Sequence, residues 1–310
     1  MKYLITGGAG FIGSHLAETL VARGDQVIIL DNFSTGSVNN LDNLTGLVEI
    51  KNGSILEKST VSKLVAESNF IVHLAATLGV LNIINKPLHS LKTNIQGTEN
   101  VLEFADKFRK PVLIASTSEI YGKNSKVPLN EEDDRIVGHP LKSRWSYSEA
   151  KAVDESLAYF YHLDSNLPIR IVRFFNTVGP RQVGNYGMVL PRFINAAKNN
   201  EDIIVYGSGS QVRSFCHIDD AIGALIKVSS FDGELFNIGN DEPMSINQLA
   251  DRVIALSVSN SKIVHVPYEQ AFSKHHGDIN IRVPDLTKIK KLTGYMPMYK
   301  LDDIIKDMLV

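Results

Sequence analysis

The sequence holds one cysteine, Cys216, so no internal disulfide and no multi-cysteine metal site can form. No apolar run is long enough to span a bilayer. The start, Met1-Lys2-Tyr3-Leu4-Ile5-Thr6, passes straight into glycines with neither a long apolar stretch nor a cleavage site. Neither sign of charge is in surplus: 32 lysines and arginines against 34 aspartates and glutamates leave a formal net charge of −2. That balance gives no reason to expect nucleic acid or a membrane as partner, and no charged tail suggests a disordered arm. Internal repeats and low-complexity tracts are also missing. These absences predict an ordinary globular protein of the cytoplasm. Its 310 residues, 44% of them hydrophobic, suffice for one large core and a second small one.

What is present is alternation. Short β-branched or aliphatic runs at 3–6, 26–30, 47–51, 70–74 and 112–116 are separated by segments of helical period at about 11–22, 59–67 and 93–108. A further helix at about 147–162 leads to a strand at 169–174. Repeated strand–helix–strand order predicts an α/β fold, a Rossmann-type doubly wound parallel sheet with right-handed crossovers. Beyond Asn176 the texture changes. Gly179-Pro180 and 184–187 mark loops, and 188–198 reads as a helix. His217-Ile218-Asp219-Asp220 offers an aspartate to cap a helix running to 227, and 235–238 reads as one more buried strand. The remainder, through Pro243, Pro267, Pro284 and Pro297, reads as short helices and loops. The expected organisation is a dinucleotide-binding domain from 1–173 and 212–240, with a smaller discontinuous lobe from 174–211 and 241–310.

Directly after the first strand comes Gly7-Gly8-Ala9-Gly10-Phe11-Ile12-Gly13. Glycine is needed at the tight turn, where backbone approaches a pyrophosphate, and where helix meets strand. The helix N-terminus then offers unpaired N–H groups and the positive end of its dipole to phosphate. A carboxylate, Asp31, follows at the end of the second strand, at the distance expected for one that binds the adenosine ribose hydroxyls. Its charge would repel a 2′-phosphate, and Asn32-Phe33-Ser34-Thr35-Gly36 supplies no arginine to attract one. The pattern predicts NAD rather than NADP.

Tyr147-Ser148-Glu149-Ala150-Lys151 places a phenol and an ammonium one turn apart on a single helix face. The lysine charge, together with the positive nicotinamide, would lower the phenol pKa and let the tyrosine take a proton from a substrate hydroxyl as hydride leaves carbon. Thr117 would share that hydrogen bond, and Lys151 would also hold the nicotinamide ribose.

Gly7–Gly13, Asp31, His73-Leu74-Ala75-Ala76, Thr117 and the Tyr147/Lys151 pair together resemble the extended short-chain dehydrogenase/reductase family of nucleotide-sugar epimerases, dehydratases and decarboxylases, along nearly the whole chain. The resemblance implies a homodimer built on the helices at about 94–108 and 147–162. It implies cofactor contacts at Gly7, Gly10, Phe11, Ile12, Gly13, Asp31, Asn32, Ser34, Gly36, Ser54, Ile55, Leu74, Ala75, Ala76, Asn94, Ser116, Tyr147, Lys151 and Val178. It implies substrate contacts at Thr117, Asn176, Leu190, Arg192, Tyr206, Arg213 and Arg282, with Arg213 and Arg282 facing the sugar-nucleotide diphosphate. The segment from Arg173 to Arg181 is similar to the family's stretch on the nicotinamide and the sugar phosphates. Ser54 departs from the family, which usually has an aspartate near the adenine.

Members of this family first oxidise a sugar hydroxyl, usually at C4, to a ketone. Glu119 then discriminates among outcomes. A simple 4-epimerase needs no carboxylate there, and a glucose-type 4,6-dehydratase usually has an Asp-Glu pair where this chain has Ser118-Glu119. Mannose-type dehydratases have Thr-Ser-Glu but usually bind NADP, against Asp31. UDP-glucuronate decarboxylases also have Thr-Ser-Glu, and the stretch from Asn130 to Tyr147 resembles the bacterial decarboxylase of lipid A arabinose modification, as does Arg282-Val283-Pro284-Asp285. Oxidation at C4 makes a β-keto acid, which loses carbon dioxide because the carbanion delocalises into the ketone. In that reading Thr117, Ser118, Glu119, Tyr147 and Lys151 are catalytic, with Ser118 and Glu119 orienting the uronate and Arg282 assisting the carboxylate and proton delivery. Gly277-Asp278 resembles an epimerase pattern instead, and Met188-Val189-Leu190-Pro191-Arg192 departs from the decarboxylases. UDP-glucuronate decarboxylase leads, followed by 4-epimerase and then dehydratase. A non-catalytic NAD-binding module is the rival of another class, disfavoured by the intact Tyr147, Lys151 and Thr117.

Several weaker signals read as structural. His275-His276 reads as a solvated loop rather than a metal site. His73 reads as packing at a sheet end, and Cys216 as an inert core thiol. Glu131–Asp134 reads as a soluble loop, and Lys288, Lys290 and Lys291 as the wet face of a helix.

Overall fold

Six strands alternate with helices through the first half of the chain: β1 (Lys2–Thr6), β2 (Gln26–Asp31), β3 (Glu49–Asn52), β4 (Phe70–His73), β5 (Val112–Thr117) and β6 (Ile169–Phe174). With a late strand, Glu234–Ile238, they form one seven-stranded sheet in the order β3-β2-β1-β4-β5-β6 and then Glu234–Ile238, every pair parallel. This is the doubly wound Rossmann arrangement that the alternation predicts. The computed structural model describes residues 1–77, 86–184, 188–271 and 279–310, without the side chains of Glu269 and Ala271. His275, His276 and the Gly277-Asp278 pair lie outside the described residues, as does most of the loop expected at 184–187.

Strands buried on both faces read as unbroken apolar runs, and Leu4, Ile5, Ile28, Ile29 and Leu30 are all buried here. On one face, α1 (Phe11–Ala22) and the helix Ile218–Val228 close a core containing Leu16, Leu20, Ile222 and Leu225. On the other, α2 (Lys58–Glu67), α3 (Pro87–Lys107) and α4 (Ser146–Ser165) bury Val61, Leu64, Val101, Leu102 and Ala158. A separate core of Leu190, Phe193, Ile203, Leu249, Val253, Ile304 and Ile305 lies in the discontinuous C-terminal part. Leu286, Ile289 and Tyr295, counted with the lobe on sequence grounds, pack with the sheet instead.

Four local expectations change. Helix α3 starts six residues earlier than its periodicity suggests, because Pro87 suits the first turn of a helix, where no N–H partner is needed. The helix Ile218–Val228 is capped by His217, whose Nδ1 accepts the Asp219 N–H at 3.2 Å. The aspartates sit in the first turn, where they meet the dipole. Ile246–Ser257, expected to be short helices and loops, is a 12-residue helix begun by a Ser245/Gln248 capping box. Glu131 is buried rather than part of a wet loop, and its Oε1 accepts the Asn237 N–H at 2.8 Å. The readings of His73, Cys216, Lys288 and Lys290 match. Buried His73 bridges Thr6 Oγ1 (2.7 Å) and Thr98 Oγ1 (3.1 Å). Burial pushes the Cys216 thiol up to about 12. Lys288 and Lys290 make ion pairs with Glu234 and Asp241 at the surface.

A buried charge cluster locks α4 to the sheet. Glu155 takes Arg173 Nε at 2.9 Å and Nη2 at 2.7 Å, and also the Ser116 hydroxyl at 2.5 Å. Replacing Glu155 with glutamine leaves the Arg173 charge buried and unbalanced. Unfolding stability in urea should fall by about 3–5 kcal/mol. A loss below about 1 kcal/mol would mean that the cluster is not what fixes the helix.

Candidate active site

The strand order reverses between β1 and β4, and the loops leaving their C-terminal ends border a crevice of the kind that receives dinucleotides. Gly7 has φ +74°, and a Cβ there would stand 2.8 Å from Ala75 N; a Cβ on Gly13 would stand 2.3 Å from Gly7 O. Only glycine fits at either position. Helix α1 begins at Gly10 with no side-chain cap, so its first N–H groups are left for a phosphate. Asp31, at the end of β2, accepts Ala9 N–H at 2.9 Å on Oδ2 and Phe33 N–H at 2.8 Å on Oδ1. These bonds fix its carboxylate beside the glycine turn, and each oxygen keeps a further lone pair for a ribose hydroxyl. The turn, the uncapped helix and the fixed carboxylate fit a dinucleotide.

The remaining cofactor-type residues divide by geometry. Asn32 and Ser34 form the turn after Asp31, with Asn32 Oδ1 accepting Ser34 N–H at 3.1 Å, and Gly36 packs on Ala9. Gly53 N–H reaches Asp31 O at 3.0 Å, which brings Ser54 and Ile55 alongside. Leu74 and Ala75 are tied to Thr6 at 3.0 and 3.3 Å, with Ala76 following at the same rim. Phe11 and Ile12 are half-buried at the start of α1. Asn94 spends its amide on Thr77, whose N–H it accepts at 2.7 Å and whose carbonyl it reaches at 3.2 Å, so it shapes the loop after β4. The Ser116 hydroxyl is given to Glu155, and Val178 is buried in the lobe core.

Over the crevice, α4 carries half-buried Tyr147 and, one turn on, buried Lys151. The ammonium is not simply aimed at the phenol, as the sequence suggests. Its Nζ lies 3.0 Å from Oδ2 of Asp154, a carboxylate with no exposed surface. Tyr147 is accordingly not lowered in the protein alone. Burial, and then the carboxylates of Glu119 and Asp154, hold its pKa above the ordinary tyrosine value.

At the end of β5, Thr117 Oγ1 accepts Glu119 N–H at 3.2 Å and so starts the short turn Ser118–Tyr121, in which Ser118 is buried. Two guanidinium groups converge on Glu119. Arg144 Nη1 donates to Oε2 through a very short bond, and Arg282 Nη1 donates to Oε1 at 2.8 Å. Burial works to raise this carboxyl, but the two arginines outweigh it and hold it at about 2. Arg282 Nη2 also donates to Asn176 Oδ1 at 2.9 Å, and Asn176 Nδ2 donates to Ser214 O at 2.8 Å. Arg282 is therefore tied to Glu119 and Asn176. Arg144 was missed as a site residue, because in sequence it is one basic residue in an unremarkable loop.

Of the other substrate-type residues, Arg213 is the register partner of Arg282 on the neighbouring strand, while Leu190, Arg192 and Tyr206 belong to the lobe. Arg192 stacks on Tyr206, its guanidinium carbon 4.2 Å from the ring centre, and donates to Ile204 O at 3.0 Å. Leu190 is wholly buried in the lobe core, which leaves its side chain a packing role. Arg213 donates to Val212 O at 2.9 Å and Asn280 O at 3.2 Å. Arg181 grips Glu18 of α1 with two 2.7 Å bonds, so it ties the lobe to the sheet domain. Among the described residues no acidic, histidine or cysteine cluster could hold a metal, and no helix is long and apolar enough to cross a membrane.

The family model described as GDP-mannose 4,6 dehydratase matches residues 4–308. A UDP-N-acetyl-alpha-D-glucosaminuronate decarboxylase of Bacillus cytotoxicus is 44% identical over 99% of this chain and 96% of its own length. UDP-glucuronic acid decarboxylase 1 of Danio rerio is 36% identical over 97% of this chain and 70% of its own. Among solved structures, a UDP-glucuronic acid 4-epimerase of Bacillus cereus, in complex with UDP-glucuronic acid and NAD, superposes with a TM-score of 0.88 at 28% identity, covering all of this chain and 98% of that one. With the glycine turn, Asp31 and the Tyr147/Lys151 helix in place, these matches make the chain a member of the extended short-chain dehydrogenase/reductase family of NAD-dependent nucleotide-sugar enzymes.

Proposed function

We propose that the protein decarboxylates a UDP-linked hexuronate through a 4-keto intermediate, with UDP-glucuronate giving UDP-xylose or the 4-keto pentose. The observation that carries this reading is the convergence of Arg144 and Arg282 on Glu119, in the turn that begins with Thr117. A 4-epimerase of a neutral hexose only has to let a keto-sugar rotate, and has no use for that arrangement. A uronate does: Arg282 can turn to the substrate carboxylate while Arg144 continues to balance Glu119. The identity to uronate decarboxylases favours loss of C6 over rotation of a keto-uronate.

NAD, when bound, supplies the acceptor that makes the C4 ketone and the donor that can reverse it. The N–H groups opening α1 hold its pyrophosphate, and Asp31 takes the adenosine ribose hydroxyls. Tyr147 removes the O4 proton, Thr117 shares that hydrogen bond, and Lys151 holds the nicotinamide ribose. In the β-keto acid the C5–C6 bond breaks, its electron pair passes into the C4 ketone as an enolate, and carbon dioxide leaves. Glu119 keeps the uronate oriented, and Arg282 assists the proton that returns to C5. Asn176, Arg192, Tyr206 and Arg213 are the groups we assign to the sugar nucleotide. A 2-acetamido uronate is the second candidate substrate, favoured by the 44% identity to the Bacillus cytotoxicus decarboxylase. Both candidates share the C6 carboxylate on which the chemistry depends.

A second copy of the chain belongs on the outer face of α4, where Tyr159, Phe160 and Leu163 are all about half exposed or more, beside α3. Such an apolar stripe is costly to leave in water. A homodimer of this kind, working in the cytoplasm where its nucleotide substrates circulate, completes the reading.

Three outcomes test it. Incubation with UDP-glucuronate or its 2-acetamido counterpart, followed by mass spectrometry, should show loss of carbon dioxide, and Tyr147→Phe should lower kcat by ~10²–10⁴-fold. An unchanged mass with a new retention time would mean epimerisation instead, and no change in any UDP-, dTDP- or GDP-sugar would leave only a binding module. Glu119 should stay ionised down to about 2. Because its folded pKa is depressed, the stability it contributes is full above the unfolded value and fades as pH falls towards the folded one. The unfolding free-energy difference between wild type and Glu119→Gln should thus be constant above pH ~6 and shrink below pH ~4.5. Light scattering at micromolar concentration should give a dimer mass that Phe160→Glu halves; a monomeric wild type would remove the dimer.

A further inference from the structure

The buried carboxylate of Asp154 has no part in the chemistry described so far, and its surroundings suggest one. It lies on α4 within one turn of Lys151, whose Nζ it holds at 3.0 Å, and the pair is closed off from solvent. From α3 the Thr98 hydroxyl faces it, and that hydroxyl is itself bonded to His73 Nε2 at 3.1 Å. His73 adds no charge here, since burial and then the Lys151 ammonium keep its ring at about 3. The remaining charged groups that bear on this pocket are Glu155, which opposes ionisation of Asp154, and Glu119, which opposes ionisation of Tyr147 from the turn after β5.

We propose that Asp154 is a positioning residue for Lys151, fixing the ammonium and offsetting its charge so that Tyr147 stays protonated until the charge of the bound nicotinamide is added. A lysine buried alone beside a phenol would favour phenolate at all times. Paired with Asp154, whose carboxylate opposes ionisation of Tyr147, it no longer imposes the phenolate, while two of its three N–H bonds remain available to a ribose. Beside the oxidised, positively charged ring, the phenol gives its proton to solvent and can accept the one from O4. Beside the reduced, neutral ring, the phenol keeps that proton and can return it to O4 when the C4–H bond is remade. One phenol thus serves as base in one direction and acid in the other.

The inference rests on Tyr147 being the base named above, but its test needs no sugar, so it fails separately from the substrate assignment. Tyrosinate absorbance is titrated against pH with and without NAD, subtracting the matching Tyr147→Phe protein each time. In the wild type without nucleotide, the Tyr147 band should rise only above the ordinary tyrosine range, and NAD should move it down by at least about one unit. Asp154→Asn should move the nucleotide-free transition down by at least about one unit, because Lys151 is then uncompensated, and Asp154→Glu should restore it. Coincident transitions in wild type and Asp154→Asn would overturn the proposal. So would a wild-type transition that NAD leaves in place, a measurement that stands even if the variant does not fold.

Discussion

The placement of α4 against the carboxyl edge of the sheet is the constraint on which the site depends. Glu155 sets it by binding the Arg173 guanidinium of β6 and the Ser116 hydroxyl of β5 with the same carboxylate. A buried charge finds its partners in only one register, so helix and strands cannot slide past each other without leaving a charge unbalanced. Because Tyr147 and Lys151 precede Glu155 by two turns and one, that register delivers both to the crevice. Thr117 and Glu119 follow Ser116 directly, so the same contact brings the second half of the site into place.

Closeness in sequence decides how much of this was legible. The glycine turn, Asp31 and the Tyr147/Lys151 pair are each local devices, in which spacing along one turn or one helix fixes geometry. All are found where the spacing puts them. The sheet was equally readable, since strands buried on two faces carry continuous apolar runs. Contacts made across long separations were not. Arg282 meets Glu119 over 163 residues and Asn176 over 106, so these contacts have no local signature. Arg181 has the same history, reaching Glu18 across 163 residues. Local chemistry also misled where two groups compete. His217 precedes Ile218 and Asp219 follows it, and the imidazole takes the capping place while the carboxylate is left to the dipole.

Two overlooked residues share a physical reason. Arg144 and Asp154 both flank the Tyr147/Lys151 motif, and each is recognisable only through the charge it meets. A charged side chain in a loop or on a helix is by default a solvated one, and these two are buried. Burial without a partner would be prohibitive, so each of them announces an opposite charge nearby: Glu119 for the arginine, Lys151 for the aspartate. The Ser245/Gln248 capping box, by contrast, was visible in sequence and marks a helix that proline-rich surroundings concealed.

Charge balance around the phenol connects these points to function. Glu119 and Asp154 both oppose loss of its proton, one from the turn after β5 and one from its own helix. Each carboxylate is itself held by cations, Arg144 and Arg282 for the first and Lys151 for the second. The protein alone therefore keeps Tyr147 protonated, and an additional positive charge is required to make it a base. The same balance bears on the carboxylate of a uronate. In the proposed reaction, Arg282 leaving Glu119 for that carboxylate would move positive charge away from Glu119 just as negative charge enters. On that reading the chemistry at C4 and at C6 is coupled through Glu119, which bears on Tyr147 and holds Arg282.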